Sequence, residues 1–150
     1  MLTFRDSTLS RTLPGLNPAH SHIRPVDGSW TIQENLCHLA DTEGLFAERM
    51  RRVLSEDRPP LPVADQDACM ETLACSQRVI EEEIAVIQAI RRQMSRILRA
   101  QPAEAWSRVG IHSQAGEQTL EQIVQKAVNH LDHHLKFVRA KREALEERAS

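Results

Sequence analysis

Aromatic residues are scarce in this chain. It has no Tyr, three Phe and two Trp among 150 residues. Sheet proteins are usually rich in aromatic and β-branched residues that alternate with polar ones. The most apolar stretches here contain Ala, Leu, Ile and Val at helical spacing instead, so we predict an all-α protein. The length fits one domain with a sizeable core, over residues 1–150.

Disulfide and membrane signals are also missing. The three cysteines, Cys37, Cys69 and Cys75, form neither a metal-type CxxC pair nor a disulfide framework. The N-terminus lacks the apolar core of a signal peptide, and no apolar run approaches the ~20 residues that cross a bilayer. We therefore expect a reduced, cytoplasmic protein that has no membrane partner.

The chain carries no excess of either charge. Nineteen basic and 21 acidic residues are interleaved and give a net charge of −2. The densest basic run, Arg49 to Arg52, is flanked by acidic residues and is typical of a solvated helix face. Proteins that bind nucleic acid usually concentrate basic residues on one face. We therefore expect no nucleic-acid partner.

Two capping boxes mark the beginnings of helices. In Thr31-Ile32-Gln33-Glu34 the Thr hydroxyl and the Glu carboxylate can satisfy each other's backbone amides, and Thr119-Leu120-Glu121-Gln122 repeats the pattern. Apolar periodicity carries the first helix to about Ser55 and the last to about Glu147. Prolines 59, 60 and 62 end the first of these helices.

The remaining segments complete a predicted bundle. Asp65 or Asp67 can cap a helix to about Ala100, and residues 103–108 can form one turn around Trp106. Residues 110–116 are expected to be a loop. A short helix from Asp6 to Leu13 precedes an extended segment that ends at Trp30. The expected architecture is an up-and-down four-helix bundle with a short N-terminal helix.

Histidines dominate the chemistry of the sequence. His130 and His134 stand one helical turn apart, so their rings project from one face, and His38 lies on a helix that can face them. Three neutral imidazoles can bind a divalent metal and leave a position open for water or substrate. The alternative is a set of hydrogen-bonded core or surface histidines without metal.

A longer pattern carries a resemblance to a known family. Residues 24–34 (RPVDGSWTIQE), followed by His38-Leu39-Ala40-Asp41-Thr42-Glu43, resemble the signature of the DinB-like superfamily, which includes the YfiT-type metal-dependent hydrolases. The similarity continues through residues 59–62, 65–68, Trp106 and 116–120 to the His130-x3-His134 pair. The resemblance implies a four-helix bundle with a divalent metal, often nickel or zinc, held by His38, His130 and His134. It also implies a hydrolase or a transferase that uses a low-molecular-weight thiol.

Several polar residues are candidates to assist the metal. We single out Asp41, Glu43 and His133 as catalytic candidates, with Glu34 as a further group that can orient a ligand or move a proton. Asp41, one turn beyond His38, is the first choice for orienting that ring; a plain solvent-facing carboxylate is the alternative. Cys37 points about 100° away from His38 around the helix and is expected to be a small core residue.

Three other histidines remain open. His112, in the loop before the last helix, either reaches the open end of the site or is an exposed loop residue, and His20 and His22 pose the same choice.

The leading hypothesis is thus a metal-dependent enzyme, either a hydrolase or a thiol S-transferase, that acts on a small molecule. The competing hypothesis is a non-enzymatic, metal-binding or dimeric helical module. A short N-terminal helix would leave apolar surface that a second copy can cover, which predicts a homodimer.

Overall fold

The structure is a computed structural model that describes residues 18–24 and 29–149. These residues form five α-helices: α1 Pro18–Ser21, α2 Ile32–Ser55, α3 Gln66–Thr72, α4 Ile80–Arg99 and α5 Leu120–Ala149. They also form two 3-10 turns, Cys75–Gln77 and Ala103–Ser107, and three short strands, β1 Pro60–Leu61, β2 Val109–His112 and β3 Gly116–Thr119. The predominantly helical class is confirmed. The predicted helix over residues 6–13 lies outside the described residues.

Both predicted capping boxes form. The Thr31 hydroxyl accepts from the Glu34 amide at 3.0 Å, and the Glu34 carboxylate accepts from the Thr31 amide at 2.8 Å. At the start of α5 the Thr119 hydroxyl accepts from the Gln122 amide at 3.2 Å, and the Gln122 side chain accepts from the Thr119 amide at 2.9 Å. Local sequence therefore fixes where the two helices of the site begin.

The α2 helix is the centre of the bundle, with α4 and α5 packed on it. Its first half packs with the first half of α4 and the middle of α5 around Leu36, Leu39, Ile87, Leu131 and Leu135. Its second half packs with the end of α4 and the start of α5 around Met50, Val53, Met94, Leu98 and Ile123. The α2 and α4 helices therefore run in the same direction, and α5 runs opposite to both.

A buried ion pair joins all three long helices between these two apolar clusters. Arg91 on α4 donates to both carboxylate oxygens of Glu43 on α2, at 2.9 and 2.6 Å, and also to the backbone carbonyl of Ala127 on α5 at 2.9 Å. Both side chains are almost fully buried. Three charge-assisted hydrogen bonds thus fix the relative heights of the helices that carry the site.

The long helix predicted from residue 65 to about residue 100 is wrong. Asp65 does cap a helix, with its carboxylate accepting from the amides of Asp67 and Ala68 at 3.1 Å, but that helix ends at Thr72. Ala74 then adopts a left-handed conformation with φ of 48°. The Gln33 side-chain amide donates to the carbonyl oxygens of Cys75 and Arg78, at 3.0 and 2.6 Å. This tertiary contact holds a non-helical turn where the sequence pattern suggests a continuous helix.

The predicted loop over residues 110–116 is instead a β-hairpin within a small sheet. The β2 and β3 strands pair antiparallel, and β1 pairs parallel to β2 with Pro60 opposite Ile111. Gly116 has φ of 69° at the turn, where a residue without Cβ is favoured. The sheet order is β1-β2-β3. The hairpin, which immediately precedes α5, is therefore joined through β1 to the segment that follows α2.

Candidate metal centre

Three histidines meet where α2 faces α5. His38 lies in the second turn of α2, and His130 and His134 lie one turn apart in the middle of α5. Because these helices run in opposite directions, the three rings come together with centroids 4.6 to 4.9 Å apart. The Nε2 atoms of His38 and His130 are 3.0 Å apart, and one ligand atom from each ring lies within 4.8 Å of the others.

Asn35 fixes the orientation of His134. The Asn35 side-chain amide donates to the carbonyl oxygens of Thr31 and Trp30, at 2.8 and 3.4 Å, so its Oδ1 is the atom that faces the ring. That oxygen lies 3.1 Å from His134 Nδ1, which must therefore carry the proton and donate. The lone pair of His134 is then on Nε2, directed away from Asn35.

Aromatic rings enclose the cluster. Trp30 contacts His38 edge to face, with centroids 5.0 Å apart, and stacks near His134 at 6.2 Å. Phe46 packs edge to face against His130 at 5.8 Å. The Trp30 ring therefore packs against two of the three imidazoles and holds them in place.

The three imidazoles are neutral at pH 7. Burial lowers the pKa of His38, His130 and His134 to about 4, and in each case a neighbouring histidine of the cluster lowers the pKa further. A neutral imidazole keeps a lone pair on one nitrogen, which is the form that binds a metal ion.

The donor set fits a divalent metal ion. Two neutral Nε2 atoms 3.0 Å apart can satisfy each other with one shared hydrogen, but the third ring then finds no donor within the cluster. A cation placed among the rings satisfies all three lone pairs at once. Nitrogen ligands lie about 2.0–2.1 Å from zinc, which places two of them roughly 3.3 Å apart at a tetrahedral centre. The observed spacing is close to that value.

Asp41 lies near the cluster but pairs with Arg78. The guanidinium donates to both carboxylate oxygens at 2.9 and 2.8 Å, and it also pairs with the carboxylate of Glu83. These carboxylates raise the pKa of Arg78 and keep it charged. The Asp41 charge acts on His38 through space and opposes the lowering of the pKa of that ring. The structure shows no hydrogen bond from Asp41 to His38.

Glu43 and His133 lie outside the three-nitrogen cluster. The Glu43 carboxylate is held by Arg91, as described above. His133 is exposed, and its ring stands edge to face against His134 at 5.3 Å and against Phe137 at 4.8 Å. Among the predicted catalytic candidates, His133 is thus the one whose ring packs against a ring of the cluster.

The remaining candidates are also placed away from the three nitrogens. Glu34 caps α2 and pairs with Arg24. His112 lies in β2, where its Nδ1 accepts from the amides of Gln114 and Ala115 at 3.2 Å. His20 lies in α1 and His22 just after it. Cys37 is buried, as predicted for a core residue, and burial raises the pKa of its thiol.

Asn35 is the site residue that the sequence analysis missed. A buried Asn inside a helix is unfavourable unless its amide has partners, and this one lies one turn before His38. Those two facts together are a signal for a residue that orients a ligand.

Comparisons with known proteins agree with this geometry. Residues 1–138 match the family model described as the DinB superfamily. The chain belongs to the DinB superfamily. The predicted family is thereby confirmed.

Two individual relatives share less than a quarter of their aligned residues with this chain. A protein from Oceanobacillus iheyensis named "Putative metal-dependent hydrolase" is 23% identical over 131 residues, which cover 87% of this chain and 75% of that protein. The structure of YfiT from Bacillus subtilis, described as a probable metal-dependent hydrolase with an unusual four-helix bundle topology, aligns with a TM-score of 0.84 at 20% identity. The alignment covers 93% of this chain and 81% of YfiT. The predicted four-helix bundle is confirmed by this likeness.

One further finding concerns membranes. Within residues 18–24 and 29–149, no helix combines the length and the apolar character that a bilayer span requires.

Proposed function

We propose that this DinB-superfamily chain is an enzyme that uses a divalent metal ion held by His38, His130 and His134. The observation that carries the proposal is the convergence of three buried or half-buried imidazole nitrogens within 4.8 Å of one another. The family relationship and the name of the Oceanobacillus relative support the same conclusion. Nickel and zinc are the metals proposed, since three imidazoles suit both.

A divalent ion on three neutral imidazoles would act as a Lewis acid that makes bound water, or a substrate thiol, a nucleophile near neutral pH. The protein's own residues prepare the site for this chemistry. Asn35 keeps the His134 lone pair on Nε2, and Trp30 and Phe46 limit access of bulk water. Asp41, held by Arg78 beside His38, is the proposed group that accepts or returns a proton.

The other predicted catalytic residues have less direct roles in this proposal. His133 contacts the His134 ring from the exposed side and is proposed to support its orientation. Glu43 acts through Arg91, which ties α4 to both helices of the site and keeps His38 opposite His130. Neither residue is proposed to touch the substrate.

Hydrolysis of a small molecule is the proposed reaction class, and the name of the Oceanobacillus relative supports it. Transfer to a low-molecular-weight thiol is the alternative reaction at the same centre. A screen of esters, amides and electrophiles with and without added thiols separates the two. Turnover without thiol supports hydrolysis, and turnover that requires thiol supports the transferase.

Metal content tests the proposal directly. The protein is purified without a His-tag and without added metal, and its metal is measured by mass spectrometry. We expect about one equivalent of nickel or zinc in the parent, and its loss in His38→Ala, His130→Ala and His134→Ala. His133→Ala is the matched control, because it removes an adjacent exposed imidazole and should keep the metal. A well-folded parent without metal affinity would overturn the proposal and favour the non-enzymatic alternative.

We also propose that the chain forms a homodimer and works in the cytoplasm. Phe137 and Val79 expose large apolar side chains, which favours burial against a partner. The three cysteines are free, as they are in a reducing compartment. Sedimentation velocity tests the first point and cell fractionation the second.

A further inference from the structure

A cavity of about 350 Å3 borders the histidine cluster. His38 forms part of its wall, and Asp41, Thr42 and Leu45 continue that wall along α2. The facing wall comes from α3 and the residues around it. Ligand pockets span roughly 300–1,000 Å3, so this one suits a small molecule. Because His38 belongs to both the cavity and the cluster, the cavity borders the metal centre at this ring.

The wall of the cavity is mainly apolar and offers no cation. Leu45, Met70 and Leu73 line it, and no Lys or Arg within the described part of the chain does. Its acidic group, Asp41, is already paired with Arg78, and the Thr42 hydroxyl donates to the carbonyl oxygen of His38 at 2.8 Å. The α2 wall therefore offers an anionic ligand no lining cation that would compensate its charge.

The α3 side of the cavity exposes apolar surface to solvent. Each residue of α3 is at least partly exposed. Leu73, which follows it, is 46% exposed although it lines the cavity. Covering such a side chain with an apolar group removes hydrocarbon surface from water, which favours binding.

We propose that this cavity is the substrate subsite of the metal centre and that it takes a small, uncharged, apolar acyl or alkyl group. The inference rests on the proposed metal-dependent function. The apolar part of the substrate is selected by Leu45, Met70 and Leu73. Carboxylates and phosphates are disfavoured, because no Lys or Arg among the described residues lines the cavity.

A matched pair of probes tests the selection. The chain has four methionines; Met70 lines the cavity, and Met50 and Met94 are fully buried in the core, where they serve as internal references. The full-length protein is labelled with [13C-methyl]methionine and titrated with pentanamide and with pentanoate, which differ in charge but hardly in size. The titration is made with metal-free and with zinc-loaded protein, so that ligation of the ion by pentanoate is recognised.

We expect pentanamide to move the Met70 methyl signal saturably and to leave Met50 and Met94 unmoved, in both forms of the protein. Pentanoate should bind metal-free protein at least about tenfold more weakly, because its carboxylate loses hydration in an apolar cavity and finds no cation among the described lining residues. An unmoved Met70 signal, or equal binding of the two probes by metal-free protein, would overturn the proposal.

Variants assign the signal to this cavity. Met70 also lines a second cavity of about 320 Å3 that Leu73 does not line. Leu73→Asp should weaken pentanamide binding at least about fivefold through lost apolar contact, whereas Val86→Asp, at a similarly exposed position on α4, should bind as the parent does. Unchanged binding by Leu73→Asp would overturn the assignment.

The two proposals fail in different ways. Zinc bound by the three histidines together with an unmoved Met70 signal overturns the subsite alone. A shifted Met70 signal in a protein that binds no metal keeps the cavity as a binding site and overturns the metal-dependent function.

Discussion

Replacement of Asn35 by Ala should weaken metal binding without touching a ligand. The side chain makes three hydrogen bonds: one accepted from His134 at 3.1 Å, and two donated to the backbone of Thr31 and Trp30. Loss of a group that orients a metal-bound histidine typically costs about 10–100-fold in metal affinity. Loss of the two donated bonds should also cost about 0.5–1.5 kcal/mol of stability, because the Thr31 carbonyl keeps the backbone amide of residue 35 as a donor and the Trp30 carbonyl keeps Lys141.

Two measurements separate these effects. Zinc affinity is measured by competition with a chromophoric chelator, and stability by urea unfolding of the metal-free protein. Asn35→Asp should retain most of the metal affinity, because its carboxylate can still accept from His134 Nδ1. Asn129→Ala is the matched control, since that amide adjoins His130 in sequence but is exposed and pairs with Gln125. A folded Asn35→Ala variant with the affinity of the parent would refute the orienting role.

Two further predictions concern the frame around the site. Gly110→Ala should destabilise the protein by about 1–3 kcal/mol in urea unfolding, because a Cβ there would lie 2.4 Å from Leu61 Cδ2; unchanged stability would contradict the close packing of β2 on β1. Arg91→Met should cost about 3–5 kcal/mol, since it leaves Glu43 charged and unpaired in the interior, and adding Glu43→Met should recover much of that loss. A double variant as unstable as Arg91→Met would show that the charge pair is not the source.

Local signals in the sequence predict the parts of the fold that local chemistry determines. The two capping boxes place the beginnings of α2 and α5, because each motif satisfies backbone amides within four residues. The spacing of His130 and His134 predicts that their rings share a face, and the structure places His38 opposite them.

Contacts distant in sequence determine what the sequence could not predict. The break between α3 and α4 depends on Gln33, whose amide bonds to carbonyl groups far along the chain. Arg78, at the end of that break, forms an ion pair with Asp41. The carboxylate one turn beyond His38 therefore pairs with an arginine and not with the His38 ring. The small sheet could not be predicted from the sequence either, because β2 pairs with a Pro-rich segment whose sequence indicates only the end of a helix.

The same connection explains the directions of the helices. Residues 56–79 return the chain along the bundle, and this lets α4 run parallel to α2. A sequence pattern that suggests one long helix in this region does not reveal that return.

His38, His130 and His134 are proposed to hold one metal ion. An anomalous difference map, recorded at the zinc edge from crystals of zinc-loaded protein, tests it most directly. One peak is expected between α2 and α5, about 2.0–2.1 Å from a nitrogen of each of the three rings. No peak at that position, or a peak held by His133 and surface carboxylates instead, would contradict it.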